Sequence, residues 1–159
     1  MNTPTDHITT NLTARNATPS LAMDIPTLTE FLAREFPQVN GDFRIDTLEA
    51  DHIVVRLRVA KRHLRPGGTV SGPNMFALAD VAIYLAILSR LGPVALAVTT
   101  SAHVDFMRKP AAHADLIATA RLLKLGRNLA VGDVLMHSEG SSEPVARASM
   151  TYAIPPRRG

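Results

Sequence analysis

The stretch SGPNMFALADVAIYLAILSRLGP, residues 71–93, decides how this chain folds. Ser71, Gly72 and Pro73 make a helix start: Ser71 suits the N-cap, and Pro73 fits the first turn, where its missing N–H loses nothing. Gly92 and Pro93 end the helix, a glycine cap followed by a residue that cannot continue it. The segment between, residues 73–91, is apolar on every side and predicts a helix about 28 Å long. That length could cross a bilayer, but Asp80 lies inside it, at a cost of roughly 2.5–3.5 kcal/mol at mid-membrane. No membrane span is expected. A helix that is greasy all round must instead be wrapped by protein on most of its sides.

The flanking sequence supplies the wrapping. Four long strand-like runs follow the helix, at 97–107, 114–125, 128–139 and 144–154, and short turns at 126–128 and 140–142 join the last three. Alternation is clearest in the second run, where Leu116, Ala118, Ala120 and Leu122 oppose Asp115, Thr119 and Arg121. Upstream, Thr27 and Glu30 have capping-box spacing for a helix carrying Leu28, Phe31, Leu32 and Phe36, which Pro37 stops. Gly41 opens a strand over 43–48, and Ile53, Val55, Leu57 and Val59 alternate with Val54, Arg56 and Arg58. The expectation is an α+β fold, a long curved antiparallel sheet round one central apolar helix. A single domain should span 24–154, after a Thr- and Asn-rich flexible leader over 1–23 and before a Pro- and Arg-bearing tail over 155–159.

Composition narrows the function. At 46% hydrophobic and 19% charged, the 159 residues can build a real core. Cysteine is absent, which excludes a disulfide framework, a thiolate metal site and a cysteine nucleophile, and agrees with a cytoplasmic location. Tryptophan is also absent, with only five Phe and two Tyr, so a base-stacking nucleic-acid surface has little to build on. The net charge of +3 is a weak field for this length. None of the six histidines forms a metal-ligand pair such as H-E-x-x-H, and there is no G-x-S-x-G elbow. No metal and no cofactor are expected.

Three neighbouring features invite chemistry: the Gly-rich basic loop over 60–72, the helix start, and Asp80. Gly72 exposes a backbone N–H at a helix N-terminus, where an oxyanion is favoured, although a glycine there also permits a tight turn. Asp80, among Leu78, Ala79, Val81, Ala82 and Ile83, needs a partner, water or a cleft, since an unpaired buried carboxylate is very costly. Backbone amides or Arg65 could supply it; alternatively the group is a general base or nucleophile. About 10 Å of helix separates Asp80 from its own Gly72. A second subunit could bring another Gly72 close. His63, in the basic loop, is a candidate for a minor site role. A long edge at 97–107, carrying Val98, Ala102, Val104 and Phe106, favours self-association.

These residues resemble the hotdog-fold acyl-CoA thioesterases, in the PaaI-like branch named for phenylacetate degradation. The resemblance is carried by GTVSGPNMFALAD at 68–80, AVTT at 97–100 and FMRKP at 106–110, and extends from about Phe43 to Ile154. It implies a homodimer, often a dimer of dimers, with an acyl-CoA site at the subunit interface. Asp80 then matches the catalytic acid, and Gly72 the amide that polarises the thioester carbonyl from the partner's helix start. Thr99 matches a water-positioning hydroxyl, with Thr100 nearly as eligible by strand parity. Arg108, Lys109 and Arg127 match turns that meet the nucleotide end of coenzyme A, and Met75, Phe76 and Leu78 are candidate walls of the acyl pocket. Ser71 and Arg65 stand where relatives often carry His and Asn. An acyl-CoA-binding sensor and a hotdog hydratase or dehydratase are the alternatives to hydrolysis.

Overall fold

The apolar run folds as one helix, and the strands close round it. A computed structural model describes residues 20–39 and 41–156. The elements are α1 (Ile25–Glu35), β1 (Phe43–Leu48), β2 (Ile53–Leu57), a 3-10 turn at Lys61–His63, α2 (Gly72–Leu91), β3 (Val98–Phe106), β4 (Leu116–Leu125), β5 (Leu129–Ser138) and β6 (Pro144–Ala153). The strands form one six-stranded antiparallel sheet in the order β1-β2-β4-β5-β6-β3. α2 touches every strand from β2 to β6, and each residue from Val81 to Ser89 is buried. By length and composition α2 could cross a membrane, but the sheet already covers most of it.

Small inward side chains let the helix come close. Ala118, Ala120, Ala130, Gly132, Ala146 and Ala148 all lie buried on the strands that face α2. Gly132 marks the tightest approach: a Cβ built there would stand 2.4 Å from Ile83 Cδ1 and 2.9 Å from the Arg121 carbonyl. Larger residues fill the flanks, among them Ile53, Val55 and Leu57 on β2 and Met136 and Met150 on β5 and β6.

Three local expectations shift. Asp24, not Thr27, caps α1: its carboxylate accepts the Thr27 N–H at 3.0 Å, because Ile25 and Pro26 are already helical. β2 stops at Leu57 rather than Val59, whose N–H turns to the Asp115 carboxylate at 2.9 Å. Of the leader expected over 1–23, residues 1–19 lie outside the described residues. Its end is bound: the Ala22 N–H donates to the Ser89 carbonyl at 2.7 Å, and Met23 is 5% exposed in the core. The expected tail likewise lies outside the described residues from 157 onward.

One ion cluster ties the start of the sheet together. Arg56, its side chain 13% exposed, reaches Asp46 at 2.8 Å, Asp115 at 3.1 Å and Glu139 at 2.8 Å. Burial opposes ionisation of Asp46, but hydrogen bonds and charge from Arg44 and Arg56 outweigh it and hold that carboxyl below the usual carboxylate range.

Two expectations follow for stability. Gly132→Val should lower the unfolding free energy by about 3 kcal/mol in urea titrations, as overpacking of a closed core does. Arg56→Met should cost about 2 kcal/mol at pH 7, because Asp115 and Glu139 lose their counter-charge and Asp46 keeps only Arg44. Asp46 has a depressed folded pKa, so its contribution is present above the unfolded value of 3.8 and fades as pH falls through the folded one. The gap between Arg56→Met and the parent should therefore narrow progressively below that pH.

Candidate active site

Asp80 emerges from α2 where the helix passes the edge of the sheet. It borders a cleft of about 310 Å³ walled by Glu35 and Phe36 at the end of α1, Tyr84 of α2, Ala97, Val98 and Thr99 before and on β3, and Tyr152 of β6. Two hydroxyls hold the carboxylate. Thr99 Oγ1 donates to Asp80 Oδ1, and the Tyr152 hydroxyl lies 2.7 Å from the same oxygen and 2.8 Å from the Asp80 main-chain carbonyl. Among the described residues nothing donates to Oδ2. The partner of Asp80 is thus neither Arg65 nor a set of backbone amides. Burial, and next the Asp80 charge, push the Tyr152 phenol far above its ordinary pKa, so it stays a protonated donor. Tyr84 stacks on Tyr152 with centroids 6.5 Å apart and is pushed up by burial and by Glu35.

A bulge settles which threonine serves Asp80. Thr99 sits directly opposite Tyr152, while Ser101 pairs with Thr151, leaving Thr100 as the extra residue. Past the bulge, Ala102, Val104 and Phe106 oppose the inward Met150, Ala148 and Ala146. Thr99 therefore shares the inner face with even-numbered residues. Thr100 is exposed, and its hydroxyl reaches the Thr151 carbonyl at 3.3 Å, away from the carboxylate.

Gly72 lies in a second cleft, of about 420 Å³, with Arg65, Thr69, Val70, Met75, Phe106, Met107, Arg108, Lys109 and Pro110. The two clefts share no residue, so one chain does not bring Gly72 to Asp80. A Cβ on Gly72 would meet the Phe106 ring at 3.4 Å, so that ring covers the helix start closely. No acceptor for the Gly72 N–H occurs among the described residues. Three cations border this cleft; of these Arg108 also contacts Glu143, at 3.3 Å.

The other expected residues fall into different places. Ser71 occupies the N-cap position without capping by its side chain; its Oγ accepts from Asn74 Nδ2 at 2.7 Å. His63 is 2% exposed and borders neither cleft. Its Nδ1 accepts the Ala60 N–H at 2.9 Å, its Nε2 lies 3.3 Å from Asp42, and its carbonyl accepts from Ser71 N–H and Asn74 Nδ2. It builds the loop that presents Gly72. Phe76 is 39% exposed and Leu78 fully buried, and neither lines a cleft, whereas Met75 does. Arg127 is exposed in the β4–β5 turn, outside both. Sequence reasoning missed Tyr152, although its strand parity, shared with Ala146, Ala148 and Met150, placed a hydroxyl on an apolar face where it needs a partner.

Comparison with known proteins gives a consistent set of matches. The family model of the thioesterase superfamily matches residues 67–145. The crystal structure of a candidate thioesterase from a Silicibacter species is 58% identical, with a TM-score of 0.82 over 88% of this chain and 97% of that one. A variant of the phenylacetic acid degradation protein PaaI from Thermus thermophilus is 31% identical, with a TM-score of 0.64 over 75% of this chain and 99% of that one. A candidate esterase from Pseudomonas aeruginosa is 29% identical over 135 residues, 84% of this chain and 99% of that protein.

Proposed function

The chain belongs to the thioesterase superfamily, as a PaaI-like thioester hydrolase of hotdog fold, and from that premise we propose that it hydrolyses an acyl-CoA to the free acid and coenzyme A at a site shared by two copies. The observation that carries this reading is the separation of its two halves. Asp80 and Gly72 border different clefts of one chain, and both clefts adjoin β3, the open edge of the sheet. Val98, Phe106 and Met107 expose 55%, 54% and 48% of themselves along that edge. Pairing β3 with its twin about a two-fold axis covers this apolar strip and sets the Gly72 cleft of one copy against the Asp80 cleft of the other. Two such sites arise per homodimer, and dimers can pair further into a dimer of dimers.

In that arrangement the acyl group enters the cleft walled by Phe36, Tyr84, Val98 and Tyr152. The Gly72 N–H faces the thioester carbonyl oxygen, which gains negative charge as the tetrahedral intermediate forms; such a donor is worth roughly 2.7–4 kcal/mol of barrier. Asp80 takes a proton from water as the water oxygen bonds to the carbonyl carbon. The C–S bond then breaks, and the proton goes to the departing thiolate. Direct attack by Asp80 would instead pass through an anhydride, and ¹⁸O entering Asp80 during a single turnover in ¹⁸O water, through attack on the Asp80 carbonyl, would identify that path. Arg65, Arg108 and Lys109 suit the phosphates of coenzyme A at the mouth of the Gly72 cleft. The chemistry calls for no metal and no redox cofactor, and the cytoplasm supplies its substrate.

Thiol release from a panel of acyl-CoAs should fall about a thousandfold in Asp80→Asn. Gly72→Pro, which deletes the amide hydrogen, should be similarly impaired. Equal mixtures of the two variants, unfolded and refolded together, should regain about a quarter of parental activity, because half the dimers then hold one intact site. An Asp80→Asn protein that keeps its turnover would overturn the assignment of Asp80. A mixture no better than its components, in refolded dimers, would overturn the shared site.

A further inference from the structure

We propose that Tyr152 is a positioning residue for Asp80, and that it leaves Oδ2 as the oxygen that works on the substrate. The proposal rests on the hydrolase reading above. Both hydroxyls at the carboxylate act on the same atom: Tyr152 at 2.7 Å and Thr99 from the opposite strand both donate to Oδ1. Tyr152 also lies 2.8 Å from the main-chain carbonyl of Asp80, so one phenol fixes the side chain relative to its own helix. A carboxylate held this way cannot turn its two oxygens over freely. Oδ1 is spent on the protein, while Oδ2 has no donor among the described residues and belongs to a residue that borders the cleft.

The surroundings keep the clamp in one protonation state. The other ionisable groups bordering the cleft are Glu35 from α1 and Tyr84 from α2; β3 offers only the uncharged Thr99, and no Lys, Arg or His lines it. Tyr152 itself is 2% exposed and stays protonated through the neutral range. Its hydroxyl therefore serves as donor and not as a proton carrier. Tyr152 and Thr99 together therefore fix the orientation of the Asp80 carboxylate through Oδ1 and leave Oδ2 to act on the substrate.

Tyr152→Phe tests this, since the ring and its stack on Tyr84 remain. We expect kcat to fall about tenfold with KM within twofold. A folded Tyr152→Phe protein with the parental kcat, or with its loss in KM alone, overturns the clamp. Turnover surviving in Asp80→Asn would instead overturn the hydrolase reading on which the clamp rests. Should Tyr152→Phe fail to fold, 3-fluorotyrosine provides an isosteric route. The chain has two tyrosines, so labelling a Tyr84→Phe background changes Tyr152 alone. The more acidic phenol is a stronger donor, and kcat should then differ from that of unlabelled Tyr84→Phe with KM unmoved. An unchanged kcat overturns the proposal.

Discussion

The rest of this molecule depends on the burial of a helix that has no polar face. α2 carries apolar side chains round its whole circumference from Val81 to Leu88, so docking one side against a layer would leave the other wet. The sheet answers by being long and by curling. Strands of nine and ten residues match the helix in length, and small residues at Ala118, Ala120, Gly132, Ala146 and Ala148 remove the bulk that would hold it off. A sheet that wraps without closing has two edges. Here they are β1, shielded by α1, and β3, which exposes apolar residues.

The same geometry places the candidate site. The first turns of α2 extend beyond the region of full burial, and Asp80 is the last residue before it. An ionisable group at that boundary is partly dry yet open to a cleft, the setting that the proposed general base requires. The neighbouring strands contribute hydroxyls rather than cations, so hydrogen bonds and no ion pair hold the carboxylate among the described residues. The cations Arg65, Arg108 and Lys109 collect at the other cleft, beside Gly72. Helix burial and the separation of the two clefts have one structural source.

Much of the fold could be read in the sequence because its signals were long. α2 was bounded by Gly72 and Gly92, and β4 to β6 by turns of a few residues, so pattern and punctuation agreed. Errors arose where a single side chain decided the matter. Asp24 displaced Thr27 as the cap because Pro26 had already joined the helix, and Val59 left its strand to meet Asp115. In the site, Asp80 and Gly72 were readable as a buried charge and an unshielded amide. Tyr152 was not found, since it lies seventy-two positions from Asp80 and only strand register brings it there. His63 looked available because it sits in a basic loop, yet its ring nitrogen is committed to the Ala60 amide.

The extra residue at Thr100 splits β3 into two phases. Before it, odd numbering turns inward and Thr99 serves the carboxylate; after it, even numbering does, and Phe106 comes to lie over Gly72. The edge is thereby geared, like two wheels offset by one tooth. Point substitutions along it alter individual contacts, whereas losing or gaining one residue would invert everything on one side of the offset. Lineages descended from such a chain should consequently tolerate exchanges within this strand far more readily than changes in its length.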